Sequence, residues 1–492
     1  MPDVRAACHR LQATLASAGD RYPSIPYVGL ALWLAWQRLM WGTCSNVAAG
    51  SSAGFPPGLL MHVAVNGALV ACVFCCAALE GRGTRLPRKS LVGWGSVAAA
   101  VGSAGALASL AWTPVVPLFV ASCLLAGFGM GILLVHAMAL FGRVSPGRLL
   151  LLTGMAWGVA AAVNIIVGAF APPVACVVFC LLPLLALACF ATSPGTYTAL
   201  SPAAAPAFQV PVPRPFWPFA CTVFAVSLVA QSVIYFNGEH YNAFDRHAAA
   251  TAVDGVIIVV ALILAAYAVL CPRSHNYGAL YYPTVFVVMG LLTLLFVAPA
   301  RTVAPLVASR VVFQVFGLIL WCLLHYVAAQ SGSSPVKVYG YGYGLHMLGS
   351  IMGYGVGSLL SGAHPWSDSQ MLFVYLGAAI LVLALSIAIY PPRTMRDLLS
   401  SIPLDDAAES PAPQKPDAWL TACNTTAAAG GLTDREREVM LFLARGRGSA
   451  HIAQSLNVSL STTYTHTRNI YRKLDVHSRE ELMALVDTHL ED

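Results

Sequence analysis

Four side chains near the end of the chain have a spacing that can do chemistry. Ser461, Thr465, Arg468 and Arg472 recur at i, i+4, i+7 and i+11, so a helix would place two hydroxyls and two guanidiniums on one face. Thr463, Thr467, Ile470 and Leu474 repeat the rhythm on the opposite face, where a core would lie. No acidic residue stands between Ser461 and Leu474. Such a face suits phosphate and base-edge contacts in a DNA groove. A second set lies in apolar sequence. Arg310, Gln314, Trp321 and His325 fall within about 60° of one helix face. Gln37 and Arg38, Asp254, Asn164 and Gln231, and the pair His62 and Asn66 at i, i+4 are further polar groups in apolar runs. Polar groups inside a membrane usually face a cavity or a partner. The expectation is an outward-accessible pocket built by Arg38, Gln37, Asp254, Arg310, Gln314 and His325. The plainer reading pairs Arg310 with Asp254 and ties amides between helices. Two buried arginines would suit an anion such as a carboxylate.

The elements that must hold these groups follow from composition. The chain has 492 residues, 58% hydrophobic and only 10% charged, with a mean hydropathy of +0.71. A soluble domain carries roughly 25% charged residues, so a single soluble protein is excluded. Between Arg21 and Tyr390 the acidic residues are Glu80, Glu239, Asp245, Asp254 and Asp368 alone, while fourteen crowd after Tyr390. The net charge of +6 averages two unlike parts and is no nucleic-acid signature by itself.

About twelve apolar runs are long enough to span a bilayer as helices: 24–42, 58–79, 91–111, 115–141, 149–170, 174–191, 216–236, 252–271, 280–298, 303–330, 339–360 and 371–390. The first reads as a span, not a cleavable leader. With the N-terminus inside, the segments on that side hold fourteen Lys and Arg, and the outer loops hold only Arg246 and Arg301. That bias predicts N- and C-termini both in the cytoplasm.

The Pro- and Ala-rich stretch 192–215 divides the spans into two sixes. An internal echo agrees: His136 precedes Pro146 and Arg148 with the spacing by which His325 precedes Pro335 and Lys337. Two parallel six-helix halves resemble major facilitator transporters. The loop EGRGTRLPRK between spans two and three carries that family's acidic and basic residues in altered order.

Segment 391–430 reads as a flexible linker. From Leu432 the text changes. Thr433 to Glu436 and Ser478 to Glu481 are capping boxes. Between them, His451–Leu456 and Thr462–Leu474 read as two short helices around an NVS turn, a helix-turn-helix. LT-x-RE-x-EV, IA-x-x-L, T-x-x-x-H-x-x-NIY-x-KL and SR-x-EL together resemble the LuxR/FixJ/NarL-type domain of bacterial transcription regulators. The resemblance places Thr462, Tyr464, Thr465, Arg468 and Arg472 on a recognition helix, and His466, Asn469 and Lys473 near the DNA backbone. It makes 480–490 a dimerisation helix. Departures are Tyr464 for the usual Lys, His451 for Glu, Asp475 for Gly, and Thr463 and Thr467 for Val.

The predicted fold is all-α: a polytopic, transporter-like membrane bundle plus a four-helix DNA-binding domain. The expected segments are 1–23, an N-terminal cytoplasmic piece; 24–191 and 216–390, the two membrane halves; 192–215 and 391–430, linkers; and 431–492, the DNA-binding domain. The expected DNA-binding residues are Ser461, Thr462, Tyr464, Thr465, His466, Arg468, Asn469, Arg472 and Lys473.

The expected function is a membrane-bound one-component regulator in a bacterial inner membrane. Its partners would be double-stranded DNA, the lipid bilayer, an unknown small molecule and, on DNA, a second copy. The alternative is an active secondary transporter with an autoregulatory DNA-binding tail. The thirteen cysteines form no disulfide framework, and the C-x-x-C at Cys72 and Cys75 has no partner pair. No nucleophile, metal or nucleotide constellation is present, so no enzymatic activity, metal or cofactor is expected.

Overall fold

The computed structural model describes residues 24–49, 57–81, 89–112, 115–142, 146–192, 216–238, 243–270, 303–331, 333–363, 366–388, 416–444, 459–491 and a few isolated positions between them. The expected span 280–298, the N-terminal segment and most of 192–215 lie outside the described residues. So do residues 391–415 and His451. The chain divides into two compact units, Met1–Pro403 and Leu404–Asp492.

Among its described residues the first unit is built of helices joined by short turns, with no strand. Its helices are α1 (Ile25–Ala49), α2 (Pro57–Gly81), α3 (Lys89–Ala111), α4 (Val116–Phe141), α5 (Pro146–Gly168), α6 (Pro172–Ala191), α7 (Phe216–Gly238), α8 (Ala243–Leu270), α9 (Val303–Ser331), α10 (Pro335–Ala363) and α11 (Asp368–Ala388). Their lengths follow from the solvent. In hydrocarbon a single open segment satisfies its own backbone only as a helix, which needs about 20 residues to cross. Eight described helices meet the hydropathy and length of a membrane span. Helices α1 and α10 are as long but more polar, because Gln37, Arg38, Lys337, His346 and many glycines dilute them.

Within the first half, α4 packs on α2 and α3, and α1 on α5 and α6. In the second half α7 packs on α10, and α8 on α9. The halves meet through α2 with α10 and α5 with α8. The echo in the sequence is structural: Pro146 and Pro335 each open a helix, α5 and α10, where a missing N–H costs nothing. At that end of the bundle the Ser334 hydroxyl donates to Glu80 Oε1 at 2.6 Å, joining the halves.

Glycine serves packing. Gly349, Gly353 and Gly357 form a stripe on α10 against α7, and a methyl group there would overlap the carbonyl oxygens of Phe224, Leu228 and Ser232. Without a hydrophobic drive between helices in lipid, such close approach is what holds them.

The second unit contains α12 (Pro416–Ala429), α13 (Asp434–Ala444), α14 (Leu460–Leu474) and α15 (Arg479–Glu491). Helix α12 corrects the expectation of a flexible linker over 391–430. Ala422, Cys423 and Ala427 sit in one core with Val439, Met440, Leu443, Ile452, Ile470, Leu482 and Val486. Pro416 opens the helix. Gly431, at φ 59°, closes it in a left-handed turn, with Leu432 N–H bonded to Ala427 O at 3.0 Å, a Schellman ending.

Candidate nucleic-acid interface and candidate ligand site

The recognition face is built from helix ends. Ser459 caps α14, its Oγ accepting from Thr462 N–H at 3.1 Å. Before α13, Thr433 N–H donates to Glu436 Oε2 at 2.9 Å, while Glu436 N–H donates to Thr433 Oγ1 at 3.3 Å. Before α15, Glu481 N–H donates to Ser478 Oγ at 3.1 Å; its carboxylate accepts from His477 N–H at 2.7 Å. The first box is therefore closed reciprocally, while in the second the Glu481 carboxylate takes the N–H of the residue before the cap. Arg435 donates to Leu456 O at 2.9 Å and pairs with Glu438, tying α13 to the turn before α14. No local pattern foretells that brace, because it joins residues 21 apart.

These anchors turn one face of α14 inward and the other out. Thr463 and Ile470 are fully buried, while Ser461, Tyr464, Thr465, Arg468 and Arg472 are exposed, Tyr464 at 58%. Thr462, His466 and Asn469 are half-buried at the margin. Asn469 Oδ1 accepts from Arg472 at 3.4 Å. Lys473 is placed otherwise. Its Nζ donates to Glu436 Oε2 at 2.7 Å and to Gly431 O at 3.2 Å. The ammonium beside it and the Thr433 N–H push the Glu436 carboxyl down to about 2. Lys473, expected near a DNA backbone, is in this structure a brace between α13 and α14.

In the membrane unit the polar residues gather where the halves meet. Arg38 Nη1 donates to Asp254 Oδ1 at 2.7 Å, and Nη2 donates to Gln314 Oε1 at 3.1 Å. The Arg38 and Asp254 side chains are 9% and 4% exposed. Asn164 donates to the other oxygen of Asp254. Gln37 donates to Asn66 Oδ1 at 3.4 Å, and Asn66 bonds His62 at 3.1 Å. The His62 ring stacks on Tyr354 at 4.5 Å.

Arg38 is thus the hydrogen-bonded partner of Asp254, and Arg310 acts on the same carboxylate through its charge. Four of the six expected ligand residues come together: Arg38, Asp254 and Gln314 by hydrogen bonds, and Arg310 through its charge on Asp254; Gln37 shares Arg38's helix, but its side chain turns to Asn66. His325 does not join them. It is 1% exposed and sits beside the backbone of Phe141 and Val144. Fifteen residues of helix separate it from Arg310 by about 22 Å. Shared angle on a helix says nothing of shared depth.

Residues 431–486 match the family model described as bacterial regulatory proteins, luxR family. The C-terminal unit carries a LuxR-family helix-turn-helix domain. Among curated relatives, a monoamine regulon transcriptional regulator of Klebsiella aerogenes is 43% identical over 53 residues, 11% of this chain and 23% of that protein. The response regulatory protein YgeK of Escherichia coli (strain K12) is 46% identical over 52 residues, 11% of this chain and 35% of that protein. The response regulator VraR of Staphylococcus aureus (strain NCTC 8325 / PS 47) is 34% identical over 58 residues, 12% and 28%. The chain spans only about a quarter to a third of the length of these relatives.

The membrane unit is similar to solved transporters. A bacterial homologue of the iron transporter ferroportin, outward-facing, has a TM-score of 0.52 and 14% identity over 75% of this chain and 99% of that one. The major facilitator superfamily transporter FucP, in the outward conformation, has a TM-score of 0.51 and 11% identity over 75% and 98%. At such identity the likeness establishes the fold alone. The chain is a multi-pass membrane protein carrying a bacterial DNA-binding domain.

The LuxR-family domain tolerates its unusual residues for visible reasons. Thr463 and Thr467 stand on the core side, and their hydroxyls donate to Ser459 O at 3.3 Å and Thr463 O at 2.9 Å. Neither threonine hydroxyl is left without a partner. Asp475 stands where the family has Gly because the chain turns left-handed there, at φ 53°. Aspartate tolerates that region better than most residues.

Proposed function

We propose that this chain is a membrane-bound, one-component transcription regulator. A transporter-like membrane unit senses a small molecule between its two halves and controls DNA binding by the LuxR-family domain. The observation that carries the reading is the outward face of α14. Ser461, Tyr464, Thr465, Arg468 and Arg472 are exposed together, with no acidic side chain among them. That is a face for a major groove. The loop-charge bias supports cytoplasmic termini and a bacterial inner membrane, where the domain meets DNA. A palindromic site would take two chains, so a homodimer forms on DNA. No catalytic step enters this reading.

The test is genome-wide DNA occupancy of the full-length chain beside an Arg468→Ala/Arg472→Ala variant. Discrete sites present in the first and lost in the second are expected. Equal occupancy in both would remove the assignment of these residues. No sites in either would remove the regulator reading.

A further inference from the structure

Arg38 is a buried cation with one edge unspent. A guanidinium offers five N–H donors in a planar fork, and its Nε–Nη2 edge matches the two oxygens of a carboxylate. In this structure Nη1 serves Asp254 Oδ1 end-on. On the side edge, among the described residues, Nη2 meets only the neutral amide oxygen of Gln314, at 3.1 Å. Among the described residues Nε is buried with no hydrogen-bond partner. An unsatisfied N–H of a charged group inside a protein is expensive. Asp254 is already bonded on its second oxygen by Asn164, so it is not poised to take the side edge as well.

The surroundings are accessible. Gln37, Asn164, Arg310 and Gln314 are each half-buried, although they stand on helices that meet between the halves. Beside Arg38 lie buried aromatic side chains. Tyr343 is near enough to act on its charge, and the Tyr343 ring lies 6.5 Å from Trp33 and 5.2 Å from His346. The centre therefore offers a cationic fork beside packed aromatic side chains.

We propose that the sensed molecule is a small organic anion whose carboxylate takes the Nε–Nη2 edge of Arg38 and displaces the Gln314 amide. Arg38 belongs to the first half and Gln314 to the second, so displacement removes one of the two side-chain bonds that Arg38 makes across the halves. Ligand binding is thereby coupled to the fit between the halves. The proposal rests on the reading of this centre as the ligand site.

The test uses the full-length chain in lipid nanodiscs, with benzoate as probe and benzamide at equal ionic strength as its neutral control. The readout is the concentration dependence of the thermal unfolding midpoint. Benzoate stabilises the wild type and benzamide does not. Gln314→Leu removes the displaced amide and tightens benzoate severalfold. Gln314→Glu supplies an internal carboxylate to the same edge and weakens benzoate roughly tenfold or more. Neither variant touches the Arg38–Asp254 pair, so both should fold. Arg38→Lys keeps the charge but loses the fork, and benzoate binding falls.

No benzoate effect on the wild type, or equal benzoate binding in wild type and Gln314→Glu, overturns the proposal. A promoter-fusion assay separates it from the regulator reading. Benzoate binding that obeys these variants without changing transcription leaves the anion site standing and removes the sensor role. Transcription that responds to a neutral compound and is indifferent to Gln314→Glu does the reverse.

Discussion

Replacing Lys473 by alanine separates a structural brace from a DNA contact at one position. Lys473 lies on the recognition helix, yet its ammonium is 2.7 Å from Glu436 Oε2 and 3.2 Å from Gly431 O. The Glu436 side chain is only 6% exposed, and that of Lys473 30%. A carboxylate held at about 2 rather than at its ordinary 4.5 would be worth at most about 3 kcal/mol. Thr433 shares in that effect and solvent screens the ammonium, so Lys473→Ala should cost about 1–2 kcal/mol. For a unit of this size that lowers Tm by about 5–15 °C. The pH dependence has a definite sign. The Glu436 pKa is depressed in the folded state, so its contribution is complete above about 4.5 and is lost as pH falls toward about 2. In Lys473→Ala this acid-side loss shrinks. The assays are thermal melts of Leu404–Asp492 from pH 7 down to pH 2, and the salt dependence of its DNA affinity. The slope of log affinity against log salt should be unchanged. A slope smaller by about 0.9, with Tm unmoved, would refute the brace and make Lys473 a phosphate contact.

Three other outcomes follow from the same coordinates. Arg468→Ala/Arg472→Ala should reduce the salt slope by up to about 2 per chain with Tm unchanged, because both side chains are exposed; an unchanged slope would place DNA elsewhere. Asp475→Gly should raise the Tm of the C-terminal unit, by about 1 kcal/mol in stability, since φ there is 53°; a lower Tm would show that Asp475 holds the turn by its side chain. Ala427→Asp, at 2% exposure in the shared core, should cost about 3 kcal/mol or unfold the unit; a wild-type melting curve would return 416–429 to linker status.

Much of this molecule was legible in order of physical scale. Hydrocarbon imposes helices of one length, so apolar runs announce α1 to α11 wherever the structure describes them. Capping boxes use residues three apart, so Thr433 with Glu436 and Ser478 with Glu481 could be read directly. Recognition-face residues repeat at helical period, and Ser461, Thr465, Arg468 and Arg472 needed only that. Helix α12 was missed because its buried residues, Ala422, Cys423 and Ala427, are small and make little hydropathic contrast. Its signals were at the ends, in Pro416 and Gly431.

The amino-acid sequence by itself determined the two-part architecture, the membrane helices and the outward basic face, because each rests on local period or on solvent. Only the tertiary structure decided which partners the charged side chains take. Asp254 is hydrogen-bonded to Arg38, 216 residues away, a pairing that no helical period indicates. Lys473 reaches Glu436 across 37 residues, and His325 lies about 22 Å along its helix from Arg310. Hydrogen bonds act over about 3 Å, and no spacing along the chain fixes which helices approach that closely.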